Sequence, residues 1–111
     1  MGTHVIHVEV TGKDGAKLQA FYQDVLGWSL DTNNPGGYGL ARWDGLTAGV
    51  GAAQDGGPGQ VTFYVHADDP QGLLDKAAAA GGRVILPLTE VAPETTIALF
   101  ADPEGHVVGV M

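Results

Sequence analysis

Two polar side chains two positions apart, His7 and Glu9, interrupt the apolar run Val5-Ile6-His7-Val8-Glu9-Val10. On an extended strand they project to one face, about 7 Å apart along the chain. Imidazole titrates near neutrality and a neighbouring carboxylate favours its charged form, so this pair suits acid–base work or the gripping of an ion. A second run alternates in the same way: Thr62, Tyr64 and His66 fall between Val61, Phe63 and Val65. Arg42 and Trp43 end a third apolar stretch. Arginine there suits an anionic group, and tryptophan stacks on a planar one. The candidate ligand-binding set is His7, Glu9, Arg42, Trp43, Thr62, Tyr64 and His66, with His7 and Glu9 as the candidate catalytic pair. The plainer alternatives are a polar cleft wall for the strand residues, a rim salt bridge for Arg42, and a core or interface anchor for Trp43. His66 has the further alternative of ending exposed at the strand edge.

The elements that must position these groups occur twice. The second half repeats the plan of the first 55 positions later, so that Asp14, Leu18 and Gly27 are echoed by Asp69, Leu73 and Gly82. Such a repeat decides architecture before local propensity does. In the first half a strand over residues 4–10 leads to a helix capped by Asp14 and ended by Gly27. Leu18, Phe21, Tyr22, Val25 and Leu26 give that helix an apolar face, with Phe21 and Tyr22 expected to be buried. Short strands are expected over Trp28–Thr32, Tyr38–Trp43 and Thr47–Ala52, separated by Asn33-Asn34-Pro35-Gly36-Gly37 and Asp44-Gly45. In the second half, Asp68-Asp69-Pro70 starts a helix that Gly81-Gly82 stops. Strands follow near Val84–Leu88, Thr95–Phe100 and Val107–Met111. The expected organisation is one domain over 1–111, made of module one (1–53), a polar glycine-rich linker (54–59) and module two (60–111).

Composition narrows the function classes. At 111 residues and 44% apolar content the chain is globular, and each half alone is too small to bury a good core. The net charge of −8 repels a phosphate backbone, which argues against nucleic acid and leaves a cationic ligand as the sharper reading beside simple solubility. No apolar run approaches the ~20 residues of a membrane helix. There is no cysteine, so no disulfide framework exists and a cytoplasmic location is expected. The chain lacks a phosphate loop, and neither Gly36-Gly37 nor Gly81-Gly82 belongs to a dinucleotide fingerprint.

His7 lies fourteen residues before Phe21-Tyr22, which is followed by Val25-Leu26-Gly27-Trp28, and the chain closes with Phe100-Ala101-Asp102-Pro103-Glu104-Gly105-His106-Val107-Val108-Gly109. With Val61-Thr62-Phe63-Tyr64-Val65 and Asp68-Asp69 opening the second half, this order resembles the vicinal oxygen chelate superfamily. That group includes glyoxalase I, bleomycin-resistance proteins, fosfomycin-resistance enzymes and extradiol dioxygenases. The resemblance implies an α+β fold, with two βαβββ modules forming a curved, mostly antiparallel sheet around a concave cleft. It also implies four metal-ligand positions on the first and last strands of the modules. Here those positions fall on His7, on Gly49 or Gly51, on Thr62 and on Gly109. Glycine supplies no side-chain donor, so no cofactor is expected and a divalent metal is disfavoured. A non-family set of His7, Glu9 and His66 remains as the other way to hold an ion. The resemblance further implies a homodimer. Two functions follow as expectations: a glyoxalase/bleomycin-resistance-like protein that binds a small organic molecule in its cleft, or a metal-assisted lyase or isomerase related to glyoxalase I that uses His7 and Glu9.

Overall fold

Asp14 accepts a hydrogen bond from the Lys17 backbone N–H (3.0 Å), and Gly27 adopts a left-handed φ of 69°. These two residues bound the first helix as the sequence requires. The computed structural model describes residues 2–111. It contains strands β1 (Val5–Gly12), β2 (Gly39–Trp43), β3 (Leu46–Ala52), β4 (Val61–Val65), β5 (Arg83–Ala92), β6 (Thr95–Ala101) and β7 (Val107–Val110), with helices α1 (Gly15–Leu26) and α2 (Pro70–Ala79). The chain divides into two compact units, residues 6–61 and residues 2–5 with 62–111. Each has the α+β plan that the repeat predicts.

In the first unit, β1 runs parallel to β3, and β2 antiparallel to β3. Helix α1 packs on β3 over a floor of small residues, with Ala48 and Val50 fully buried beside Ala41. A Cβ at Gly15 would lie 2.5 Å from the Ala52 amide nitrogen, so glycine is needed where the helix starts against the sheet. Gln19 ties helix to strand by donating from Nε2 to the Val50 and Gly37 carbonyls (2.8 Å each).

The structure corrects two expectations here. The strand expected over Trp28–Thr32 is reduced to one bridge, Asp31 with Leu40. Asp31 is committed to the turn instead: its Oδ1 accepts from the Asn33 amide, and its carbonyl accepts from the Asn34 side chain. Phe21 is not buried but 54% exposed, and α1 buries no residue fully. The apolar stripe of α1 is wider than its line of contact with β3, so Phe21, Val25 and Leu26 stay on the open flank.

In the second unit, β4 is parallel to β7, and β7, β6 and β5 follow as antiparallel neighbours. Asp69 caps α2 by accepting from the Gly72 amide (3.1 Å), and Pro70 occupies the first turn. Leu74 drives the helix onto the sheet and packs with Ala67, Ala98 and Val110. Strand β5 extends to Ala92, beyond the expected Leu88, because Pro87 does not end it. The ladder accommodates Pro87 through register shifts against β6 at the edge of the sheet, where a missing N–H is tolerated.

Leu74 is 1% exposed and is the largest fully buried side chain among the described residues, so its truncation opens a cavity that small neighbours cannot close. Urea denaturation of Leu74→Ala is expected to show a loss of about 2–5 kcal/mol. An unchanged midpoint would contradict this core.

Candidate functional site

The alternation of β1 sends Ile6, Val8 and Val10 toward α1 and leaves His7 and Glu9 on the other face of the sheet. Thr47 of β3 is paired with His7, and Gly49 is paired with Glu9. His7 is 6% exposed. Its Nδ1 lies 2.6 Å from Thr47 Oγ1, and its Nε2 lies 2.9 Å from the Tyr38 hydroxyl. Tyr38 in turn donates to Glu9 Oε2 at 2.8 Å. Four side chains from three separate stretches thus form one hydrogen-bonded line, Thr47–His7–Tyr38–Glu9.

Tyr38 was not among the residues singled out from sequence, and glycine explains its position. A Cβ at Gly49 would overlap the Tyr38 hydroxyl, and one at Gly51 would come within 3.0 Å of the ring. The phenol lies flat over two positions without side chains. Asn34 fixes its backbone by donating to the Tyr38 carbonyl (2.9 Å). The second unit repeats the arrangement with a different tyrosine. Tyr64, 4% exposed, sits over Gly109, its partner across β4 and β7, and any Cβ there would overlap the ring. Thr62 is buried beside it on the same strand face and donates to the Val107 carbonyl (2.5 Å).

The remaining candidates separate from these groups. Arg42 is paired with Thr47, which puts it on the face of His7, and it is exposed. Trp43 points to the opposite face, where it meets Trp28 edge-on (5.4 Å between centroids); Trp28 stacks on Tyr22 (5.5 Å). His66 lies just past the end of β4, exposed, with Nε2 3.0 Å from Asp68 Oδ1. A separate open hollow of about 740 Å³ lies in the second unit beside α2, floored by Phe63, Val65, Leu73, Phe100 and Val108. Thr3, Asp68, Asp69 and Lys76 also line it, and the buried Thr62 and Tyr64 do not contribute to it.

The donors present do not suit the divalent ion that the resemblance implies. Both ring nitrogens of His7 lie within hydrogen-bond distance of hydroxyls, and tyrosine rings cover the glycines at two of the other positions. The fourth position, Thr62, spends its hydroxyl on a backbone carbonyl. Among the described residues no three His, Cys, Asp or Glu side chains are grouped as a metal would need. The arrangement offers a phenol held between an imidazole and a carboxylate, which can hydrogen-bond a ligand or pass a proton.

A two-unit α+β chain with one polar sheet face per unit defines the class, and comparison with known proteins gives the family. Residues 7–111 match the family model described as a glyoxalase-like domain, and the chain belongs to that family. It is 29% identical over 112 residues to the putative glyoxylase CFP32 of Mycobacterium bovis, covering 93% of this chain and 43% of that protein. It is 31% identical over 116 residues to the anthracycline biosynthesis protein DnrV of Streptomyces peucetius, covering 87% of this chain and 42% of that one. The chain therefore spans less than half the length of the curated relatives it matches. A glyoxalase/bleomycin resistance protein/dioxygenase superfamily member from Vibrio splendidus shares the fold, with a TM-score of 0.64 at 21% identity over 98% of this chain and 97% of that one.

Burial lowers the pKa of His7 below its ordinary 6.5, because the imidazolium is poorly solvated there. The folded state then binds fewer protons at this residue than the unfolded state, so its contribution to stability is complete above the unfolded value and falls as pH drops below it. NMR titration of the His7 ring is expected to give a midpoint below 6.5. Denaturant midpoints between about pH 7 and 5 should fall less steeply for His7→Gln than for the parent. A His7 midpoint at or above 6.5 contradicts the buried neutral imidazole.

Proposed function

We propose that this protein binds a small organic molecule against the polar sheet face of its first module and does so without a resident metal at that place. The observation that carries the reading is the line Thr47–His7–Tyr38–Glu9, which engages both nitrogens of the only histidine at the family's ligand positions. The glycines at 49 and 109, covered by tyrosine rings, support the same reading. A planar or cationic ligand agrees with the net charge of −8, and with the fact that one relative is named for anthracycline biosynthesis. The aromatic cluster of Trp43 lies on the other face of β2, so the ligand-stacking role first given to Trp43 is not part of this proposal.

A homodimer is part of the reading. Phe21, Val25, Leu26 and Val61 are each more than half exposed, and apolar exposure on that scale marks a surface that another protein covers. Among the described residues no helix is long and apolar enough to cross a membrane. A chain without cysteine suits the reducing cytoplasm, which we propose as its location.

The second reading is a metal-assisted lyase or isomerase related to glyoxalase I. Its specific support is the pairing of His7 and Glu9 through one phenol, together with a relative named as a putative glyoxylase. Under this reading His7 and Glu9 are the acid–base pair.

Three measurements separate the readings. A thermal-shift screen of cationic aromatics is expected to find compounds that raise Tm in proportion to the logarithm of their concentration. Metal analysis of the purified protein is expected to show substoichiometric zinc, nickel and manganese, and a methylglyoxal–glutathione assay to show no turnover. Stoichiometric metal with turnover decides for the enzyme. Sedimentation equilibrium is expected to give twice the 11.4 kDa chain mass, and a monomer at about 100 μM would remove the dimer.

A further inference from the structure

The second module has a place that its own helix does not fill. The 55-position offset that matches Leu18 with Leu73 also matches Phe21-Tyr22 with Lys76-Ala77. Where module one carries two aromatic rings, module two carries a charged residue and a small one. The hollow of about 740 Å³ lies here, with Lys76 and Ala77 on its helix side and Phe63 and Phe100 in its floor. Phe63 is left 42% exposed.

The matching ridge is on α1. Phe21 and Val25 stand one turn apart on its open flank, 54% and 57% exposed. The hollow lies wholly in the second unit and the ridge in the first, so every copy of the chain carries one of each. Charges border both surfaces in complementary order. Lys17, Phe21 and Asp24 share one side of α1, and Asp69, Leu73 and Lys76 share one side of α2 at the same spacing with the signs reversed. Laid parallel, the two helices bring Lys17 to Asp69, Phe21 to Leu73 and Asp24 to Lys76. The ion pairs among the described residues are His66 with Asp68 and His106 with Asp102, so Lys17, Asp24 and Lys76 are not already paired. Exposed charge pairs add little affinity, but they fix direction and register, while the apolar contact holds the surfaces together.

We propose that the hollow beside α2 receives α1 of a second copy, with Phe21 and Val25 seated on Phe63, Leu73 and Phe100. The exchange is reciprocal, so two copies satisfy both surfaces in a closed pair. This rests on the homodimer reading above and adds which surfaces meet. Two variants test it, alone and mixed, by analytical ultracentrifugation with one of them fluorescently labelled. Phe21→Gln removes the ridge, and Ala77→Trp fills the hollow from its own chain. Each alone is expected to weaken the dimer at least about tenfold, the scale of losing a buried aromatic anchor. Their mixture is expected to associate at least about threefold more tightly than either alone, because one intact ridge then meets one intact hollow. Should Ala77→Trp fail to fold, Lys76→Glu, which sets a like charge against Asp24, replaces it in the same mixture. A parent dimer that either variant leaves unchanged, or a mixture no tighter than its components, overturns the inference and leaves the homodimer standing. A parent protein that is monomeric at about 100 μM removes both.

Discussion

One tyrosine ring lying on two glycines is the constraint on which the site depends. Tyr38 reaches both His7 and Glu9 because positions 49 and 51 of β3 have no side chains to hold it away. Any residue with a Cβ at position 49 displaces the hydroxyl and breaks the line at its middle. The turn that delivers Tyr38 is built to match. Asp31 and Asn34 hydrogen-bond the backbone on either side of Pro35-Gly36-Gly37, so the chain enters β2 with the ring already over β3. The strand that the sequence suggested at Trp28–Thr32 gives way to this turn.

The glycines thus acquire a positive role. Considered from sequence, Gly49 and Gly109 are places where a donor is missing. In the folded chain each is a seat for an aromatic ring, Tyr38 in one unit and Tyr64 in the other. The two rings come from different points of the repeat, the residue just before β2 and the C-terminal half of β4, so the duplicated plan does not itself dictate them. The same physical need, filling space left above a strand that lacks side chains, is met twice by different residues. Close packing of buried groups explains why such space is not left empty.

The architecture was largely legible in the sequence because it is carried by local signals. Asp14, Gly27, Asp69 and Pro70 mark helix ends through their own backbone chemistry, and the alternation in β1 and β4 sorts His7 and Glu9 from Ile6, Val8 and Val10. Half of the site was legible for the same reason. Tyr38 and Thr47 were not, because their roles depend on contacts with His7 across 31 and 40 positions of sequence and on what glycine leaves open. The signal that could have found Tyr38 is the coincidence of Gly49 and Gly51 on one strand face with an aromatic residue entering the neighbouring strand. Trp43 and Phe21 misled for a related reason. Strand parity puts Trp43 with Trp28 and Tyr22 rather than with His7, and an apolar stripe on a helix does not say how much of it the sheet covers.

The most direct test of the account is a crystal structure of the protein as purified, with the density around His7 examined before any ligand is added. The account predicts a Tyr38 ring lying over Gly49, with its oxygen within hydrogen-bond distance of both His7 Nε2 and Glu9. Density for an ion bound by His7, with Tyr38 turned away from the β3 glycines, would contradict it.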